Sequence, residues 1–194
     1  MADRTAHNPL LTRHSEAVEL FSDKVHAIRP DQWDAATPCT EWSVRDLVNH
    51  LTVEQLWVPP LVEGSSIEEQ GDAFEGDVLG DDPVAAWDRA AAAAKDAFRA
   101  PGALDRTVHL SFGDTPAAHY CAQMTTDAVV HAWDLARGIG ADDRIPDELV
   151  AFSVREVTPY AADLEKSGLF AAPIEAPAGA DVQTKLLALL GRRA

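Results

Sequence analysis

The chain has 194 residues, 46% of them hydrophobic and 25% charged, which fits one globular domain with its own core, or one domain with a short appendage, and excludes two full domains. With 16 Lys and Arg against 32 Asp and Glu, the formal net charge is −16; a nucleic-acid backbone or anionic membrane is excluded as a partner without a basic patch, and pairs such as Arg192 and Arg193 are too small to form one. No segment reaches the roughly 20 apolar residues of a membrane span, and the N-terminus lacks the apolar core and cleavage site of a secretory signal, so the expected location is the cytoplasm.

The first predicted element covers residues 9–29, where Leu10, Leu11, Ala17, Val18, Phe21, Val25 and Ile28 recur at three- and four-residue intervals and Pro30 stops the helix. The loop DQWDAATPCTEW follows. Its Cys39, like Cys121, is read as a small apolar residue, since a cytosolic chain keeps two cysteines reduced. Ser43 is the expected N-cap of a second helix, with Asp46 three residues on, and Val44, Leu47, Val48, Leu51 and Leu56 share its inner face. Pro59 and Pro60 are expected to end it. Residues 64–82, rich in Gly, Ser and acid, read as a long flexible or functional loop. A third helix starts with Asp82 capping Pro83 and breaks at Pro101 and Gly102. Alternation of Val108, Leu110 and Phe112 before a Gly-Asp turn marks a short extended excursion. The fourth helix begins at Pro116 and is expected to stop at Arg137 and Gly138. A further helix spans about Pro146 to Lys166, and DVQTKLLALLGRR closes the chain with a short one. The sum is an all-α four-helix bundle over residues 1–140, with residues 141–194 as a helical extension packed on the same domain.

Bundle interiors accept polar sites where side chains of facing helices converge. In the stretch DAVVHAWDLARG, Asp127 and His131 stand four residues apart, about 40° around a helix, and so project toward one neighbour as metal ligands on a helix do. The second helix offers His50 inside LVNHL, with Glu54 one turn further as an extra ligand, a general base, or a solvated partner of a nearby arginine. Against the metal reading stands the ordinary one, in which an Asp/His pair at this spacing forms a hydrogen bond or ion pair and binds nothing. His7, His14, His26, His109 and His119 read as surface or ordinary core residues, and Trp42, Trp57, Trp87 and Trp133 as packing anchors.

The passages TPCTEWSVRDLVNHL and TDAVVHAWDLARG together resemble the metal-binding superfamily that joins DinB-like proteins to the N-terminal domain of mycothiol-dependent maleylpyruvate isomerase. The resemblance spans most of the chain, and the ending, residues 168–193, looks like the tail of an uncharacterised branch. It implies a four-helix bundle holding a divalent metal, zinc or alternatively nickel, with His50 as the ligand from the second helix and Asp127 and His131 as the pair from the fourth. Asp127 stands where the isomerase has Glu, one methylene longer. The isomerase also completes its substrate site with a C-terminal α/β domain carrying basic residues, which the 56 residues after Gly138 (194 minus 138) do not match, so its dicarboxylate substrate is not carried over.

Two imidazoles and one carboxylate leave a zinc ion one open position, the arrangement of a catalytic site. The resemblance then implies a metal-dependent thiol transferase or isomerase acting on a small-molecule thiol and an electrophile, with mycothiol as co-substrate and a water or thiolate activated at the metal. Glu54 is the candidate proton acceptor, and the loop 64–82 a candidate cover. The alternative is a non-catalytic metal-binding or sensing bundle, a homodimer through an apolar helix face.

Overall fold

The computed structural model describes residues 8–160 and 171–194. Asn8 accepts a hydrogen bond from the Leu10 N–H, Pro9 occupies the first helical position, and α1 runs Pro9–His26. Its buried stripe of Leu11, His14, Ala17, Val18, Phe21 and Val25 keeps helical period. Ser43 and Asp46 form a reciprocal capping box that starts α2, Val44–Glu63. A four-residue helix α3, Ile67–Gln70, precedes α4, Pro83–Arg99, whose Asp82 cap accepts from the Ala85 N–H. Antiparallel strands β1, Thr107–Leu110, and β2, Gly113–Pro116, pair Thr107 with Pro116 and Leu110 with Gly113. The long α5, Ala117–Ile139, then α6, Asp147–Val157, and α7, Val182–Leu189, complete the order.

The four long helices form the bundle: α1 lies along α5 and α2 along α4, with α1–α4 and α2–α5 contacts closing the ring. The class is all-α, and β1 and β2 are the only strands of four residues among the described residues. Ala90, Ala91 and Ala94 of α4 are buried, and such small side chains permit close approach of its neighbours. Trp87 lies 4.7 Å from Phe21 between ring centroids and donates its indole N–H to Ser22 Oγ at 2.9 Å. Leu186, Leu187 and Leu190 enter the same apolar cluster as Val129, Leu135 and Leu149. Of the helix expected at 146–166, α6 and a 3-10 turn at Thr158–Tyr160 are seen; the expected end at Lys166 lies outside the described residues.

Two expected stops are overturned. Pro59 and Pro60 lie inside α2, which continues to Glu63 and ends at Gly64 in the left-handed region with φ 104°. Interior prolines cost a helix about 3 kcal/mol, but these two are adjacent and remove donors from a single turn. Leu61 and Val62, each 1% exposed, are packed with Val58 and Phe98, and that burial carries the helix through. Gly138 does not end α5 either. A Cβ there would sit 3.2 Å from both Thr37 Cγ2 and Val44 Cγ2, so glycine permits close approach of the 36–44 segment, and Gly140 (φ 68°) supplies the turn.

The core divides into two apolar clusters along the bundle. One takes Leu47, Val48 and Leu51 of α2 with residues from Ala128 onward of α5; the other takes Val58, Leu61 and Val62 with Ala117 to Met124. Between them the two helices carry Thr52, Glu54 and Gln55, and Thr125, Thr126 and Asp127. The site lies on this polar band.

Candidate metal centre

Asp127 and His131 share one face of α5, and α2 brings His50 opposite them. His131 Nε2 lies 3.4 Å from Asp127 Oδ1, and His50 Nε2 lies 3.8 Å from Asp127 Oδ2. The two imidazole centroids are 5.3 Å apart, edge to face, and Trp42 stands 4.8 Å from His50 and 6.0 Å from His131. Trp42 is therefore a wall of the site and not only a packing anchor.

Asp127 Oδ2 is a buried carboxylate oxygen with no hydrogen-bond partner among the described residues. Such an atom costs several kcal/mol unless something positive faces it. Two nitrogens and one carboxylate oxygen lie within 4.8 Å of one another here, whereas a tetrahedral ion with bonds of about 2.0–2.2 Å needs donors about 3.3 Å apart. The donor chemistry and the orphaned oxygen fit a divalent ion after a small inward movement of side chains.

Electrostatics put two of the three donors, His50 and Asp127, in ligand form. Burial opposes charge on His131, but the Asp127 carboxylate, with Asp134, holds its pKa well above the ordinary value. Burial likewise opposes ionisation of Asp127, and His131 overcomes it, keeping the carboxylate charged. Burial is the largest effect on His50 and lowers its pKa against the pull of Asp127. A neutral imidazole and a charged carboxylate are the ligand forms a metal requires, while the proton between His131 and Asp127 is what the ion would displace.

Behind His131 lies a second layer. Asp134, fully buried, takes a hydrogen bond from His131 Nδ1 at 2.9 Å, from the Cys39 thiol at 3.2 Å and from Arg192 Nη2 at 3.0 Å. Cys39 is thus a half-buried polar participant, which corrects its reading as apolar filler; Cys121 is buried with its thiol pKa pushed up to about 12 by burial. Cys39, His131 and Asp134 also lie close enough to hold an ion. The Arg192 guanidinium, 3.0 Å from Asp134 and 3.7 Å from the Cys39 sulfur, already supplies the positive charge there.

Glu54 sits one turn beyond His50 and makes no hydrogen bond or ion pair with any described residue, so no arginine solvates it as a partner. Burial first, then the Asp127 carboxylate, push its pKa up to about 7 against the opposing charge of His131. The 64–82 segment is held against α2: Asn49 bonds the Gly76 carbonyl and the Val78 N–H, Arg45 pairs with Asp77 at 2.6 Å, and Phe74 meets Trp57 edge-on at 4.9 Å.

His26 and His109 pair with exposed carboxylates, His119 pairs with the half-buried Glu156, and His14 is buried against Phe98. His7 lies outside the described residues. Asp134, Cys39 and Arg192 were not expected at the site. Asp134 carried the one available signal, an acid in an apolar stretch three residues after His131.

Residues 14–136 match the family described as the mycothiol maleylpyruvate isomerase N-terminal domain. Two uncharacterised proteins from two strains of Mycobacterium tuberculosis are each 34% identical over 146 residues, 73% of this chain and 73% of theirs. Among solved structures, a histidine-to-alanine mutant of mycothiol-dependent maleylpyruvate isomerase superposes with a TM-score of 0.65 at 15% identity, covering 84% of this chain and 74% of that one. A second structure of that isomerase gives 0.60 at 18% identity, covering 79% and 71%. At such identities the likeness is one of fold. No helix among the described residues is long and apolar enough to cross a membrane.

Proposed function

The chain belongs to the mycothiol maleylpyruvate isomerase N-terminal domain family, and from that premise we propose that it is a metal-dependent thiol transferase or isomerase. Its co-substrate is a low-molecular-weight thiol of the mycothiol class and its second substrate a small electrophile. The observation that carries the reading is the orphaned Oδ2 of Asp127, buried between two imidazoles. His50, Asp127 and His131 would hold the ion, zinc or else nickel. Such an ion supplies Lewis acidity and lowers the pKa of a thiol or water beside it.

The chain's own groups divide the remaining work. Trp42 shields one side of His50 and His131 from water, which strengthens charge interactions inside. Glu54, with a pKa near 7, can take the proton of an incoming thiol at neutral pH and return it to the product, the poise expected of a general base and acid. The family supports the thiol, and the donor set supports the metal.

Elemental analysis of tag-free protein tests the site, with wild type beside His50→Ala, Asp127→Ala and His131→Ala. The expected result is about one equivalent of zinc or nickel in the wild type, lost from each variant while helical circular dichroism persists. The loaded protein should then accelerate conjugation or isomerisation with mycothiol. Wild type that takes up neither metal would sink the reading. One equivalent of metal with no acceleration across electrophile classes would replace it with a non-catalytic bundle.

A further inference from the structure

Asp134 plays no part in holding the ion in the reading above, yet both of its oxygens are engaged. Its Oδ2 accepts from His131 Nδ1 at 2.9 Å, Arg192 Nη2 at 3.0 Å and Cys39 Sγ at 3.2 Å, and its Oδ1 faces Arg192 Nε at 3.4 Å. An ionised carboxylate has no proton to give, so His131 Nδ1 carries one, and the ring's other nitrogen is the atom turned toward Asp127. This is the geometry by which outer carboxylates orient ligating imidazoles.

The guanidinium that fixes Asp134 arrives from the end of the chain by a constrained route. After α7 the chain turns at Leu190, which is fully buried, and at Gly191, whose φ is 79°. A Cβ on Gly191 would lie 2.6 Å from Ala171 Cβ and 2.9 Å from the Ala171 and Ala172 carbonyl oxygens. Only glycine fits this turn. Beyond it the Arg192 N–H bonds the Leu187 carbonyl at 2.8 Å and its Nη1 the Leu190 carbonyl at 2.8 Å, so the side chain is tethered before it reaches Asp134.

We propose that Asp134 is a positioning residue for His131 and that Arg192 locks Asp134 in place, so that docking of the C-terminal turn sets the affinity and geometry of the metal centre. The inference rests on the metal reading of His50, Asp127 and His131. It assigns the C-terminal segment to the site it had seemed only to pack beside.

Zinc affinity, read by competition with a chromophoric chelator, and the absorption spectrum of the cobalt(II)-loaded chain test it, alongside the apo-protein melting temperature. The set is wild type, Asp134→Asn, Arg192→Ala, their double variant and Gly191→Ala. Asp134→Asn should weaken zinc binding about 10- to 100-fold and alter the cobalt spectrum. Arg192→Ala and Gly191→Ala should weaken it by a smaller factor, and Arg192→Ala should add nothing once Asp134 is Asn, because it acts through that carboxylate. A purely structural ion pair would lower the melting temperature and leave affinity and spectrum alone, which overturns the proposal. Where Asp134→Asn does not fold, unchanged zinc affinity in both Arg192→Ala and Gly191→Ala overturns it equally. Wild type that takes up neither zinc nor cobalt overturns this inference together with the reading beneath it. Wild-type uptake with unchanged variants overturns this inference alone.

Discussion

Two histidines lie equally deep in the bundle, His14 at 1% and His131 at 3% exposure, and their surroundings drive them in opposite directions. His14 on α1 meets the Phe98 ring edge-on at 5.0 Å, and its Nε2 has no hydrogen-bond partner among the described residues. Burial above all, with Arg99 and Lys95 nearby, lowers its pKa to about 4 and keeps it neutral. His131 is buried too, but Asp127 and Asp134 face its two nitrogens and hold it charged. Burial of a metal-binding residue type is therefore no mark of a site. What distinguishes the α5 histidine is convergence of carboxylates, one of which has an oxygen left over for a ligand.

The strongest way to break the contrast is to remove the carboxylate behind His131. Asp134→Ala takes away the group that both His131 and Arg192 face in a buried setting. Loss of one partner from a buried ionic cluster costs about 3–5 kcal/mol. Urea denaturation of the metal-free protein at pH 7 should register that loss; a cost under about 1 kcal/mol would mean that water already screens the cluster.

The other histidine predicts a nearly comparable effect in acid. The unfolded ring binds its proton near 6.5 and the folded ring near 4, so between these values the unfolded chain takes up more protons and stability drops as the solution is acidified. The difference corresponds to about 3 kcal/mol, present above pH 6.5 and lost by pH 4. His14→Leu should lose less stability than wild type by that amount between pH 7 and pH 4. Parallel curves for the two proteins would show that His14 is not held neutral.

Glu54 sharpens the comparison because it is a half-buried acid without a hydrogen-bond or ion-pair partner among the described residues, on the functional side. Its folded carboxyl keeps a proton up to about 7, whereas the unfolded one releases it near 4.5, so this contribution is present in acid and lost as pH rises through that window. Discounted for partial exposure, the change is ~1–2 kcal/mol. Glu54→Gln should stabilise the metal-free protein at pH 8 by that amount while slowing the thiol reaction. A variant that is no more stable at pH 8, or fully active, removes Glu54 from the proton-transfer role.

Much of the fold was legible because periodicity and capping agree along the chain. Ser43 and Asp82 cap helices whose apolar residues recur at three and four. Pro59, Pro60 and Gly138 misled because local rules were overridden by contacts made elsewhere, the burial of Leu61 and Val62 and the approach of Thr37 and Val44. At the site, His50, Asp127 and His131 stood out as polar residues in apolar helices, and the fold brings them together. Cys39 and Arg192 could not be seen this way: they reach Asp134 from 95 and 58 residues away in sequence, and neither has a periodic context.

The smallest effect concerns the cover over His131. Gly138 lets the 36–44 segment approach α5, and that segment carries both Trp42 and Cys39. Gly138→Ala gains about 0.8–1.0 kcal/mol of helix propensity. Against this, the new methyl meets Thr37 and Val44 at 3.2 Å and the Ala36 carbonyl at 3.4 Å, an overpacking that costs about 1–3 kcal/mol. The terms nearly cancel, and a net loss of about 1 kcal/mol is expected in thermal melts. Because the segment must yield outward, Trp42 fluorescence and the cobalt spectrum should change more than stability does. Unchanged optical signatures with a stabilised fold would show that the segment moves freely and that the tryptophan wall is not tied to the helix bearing His131.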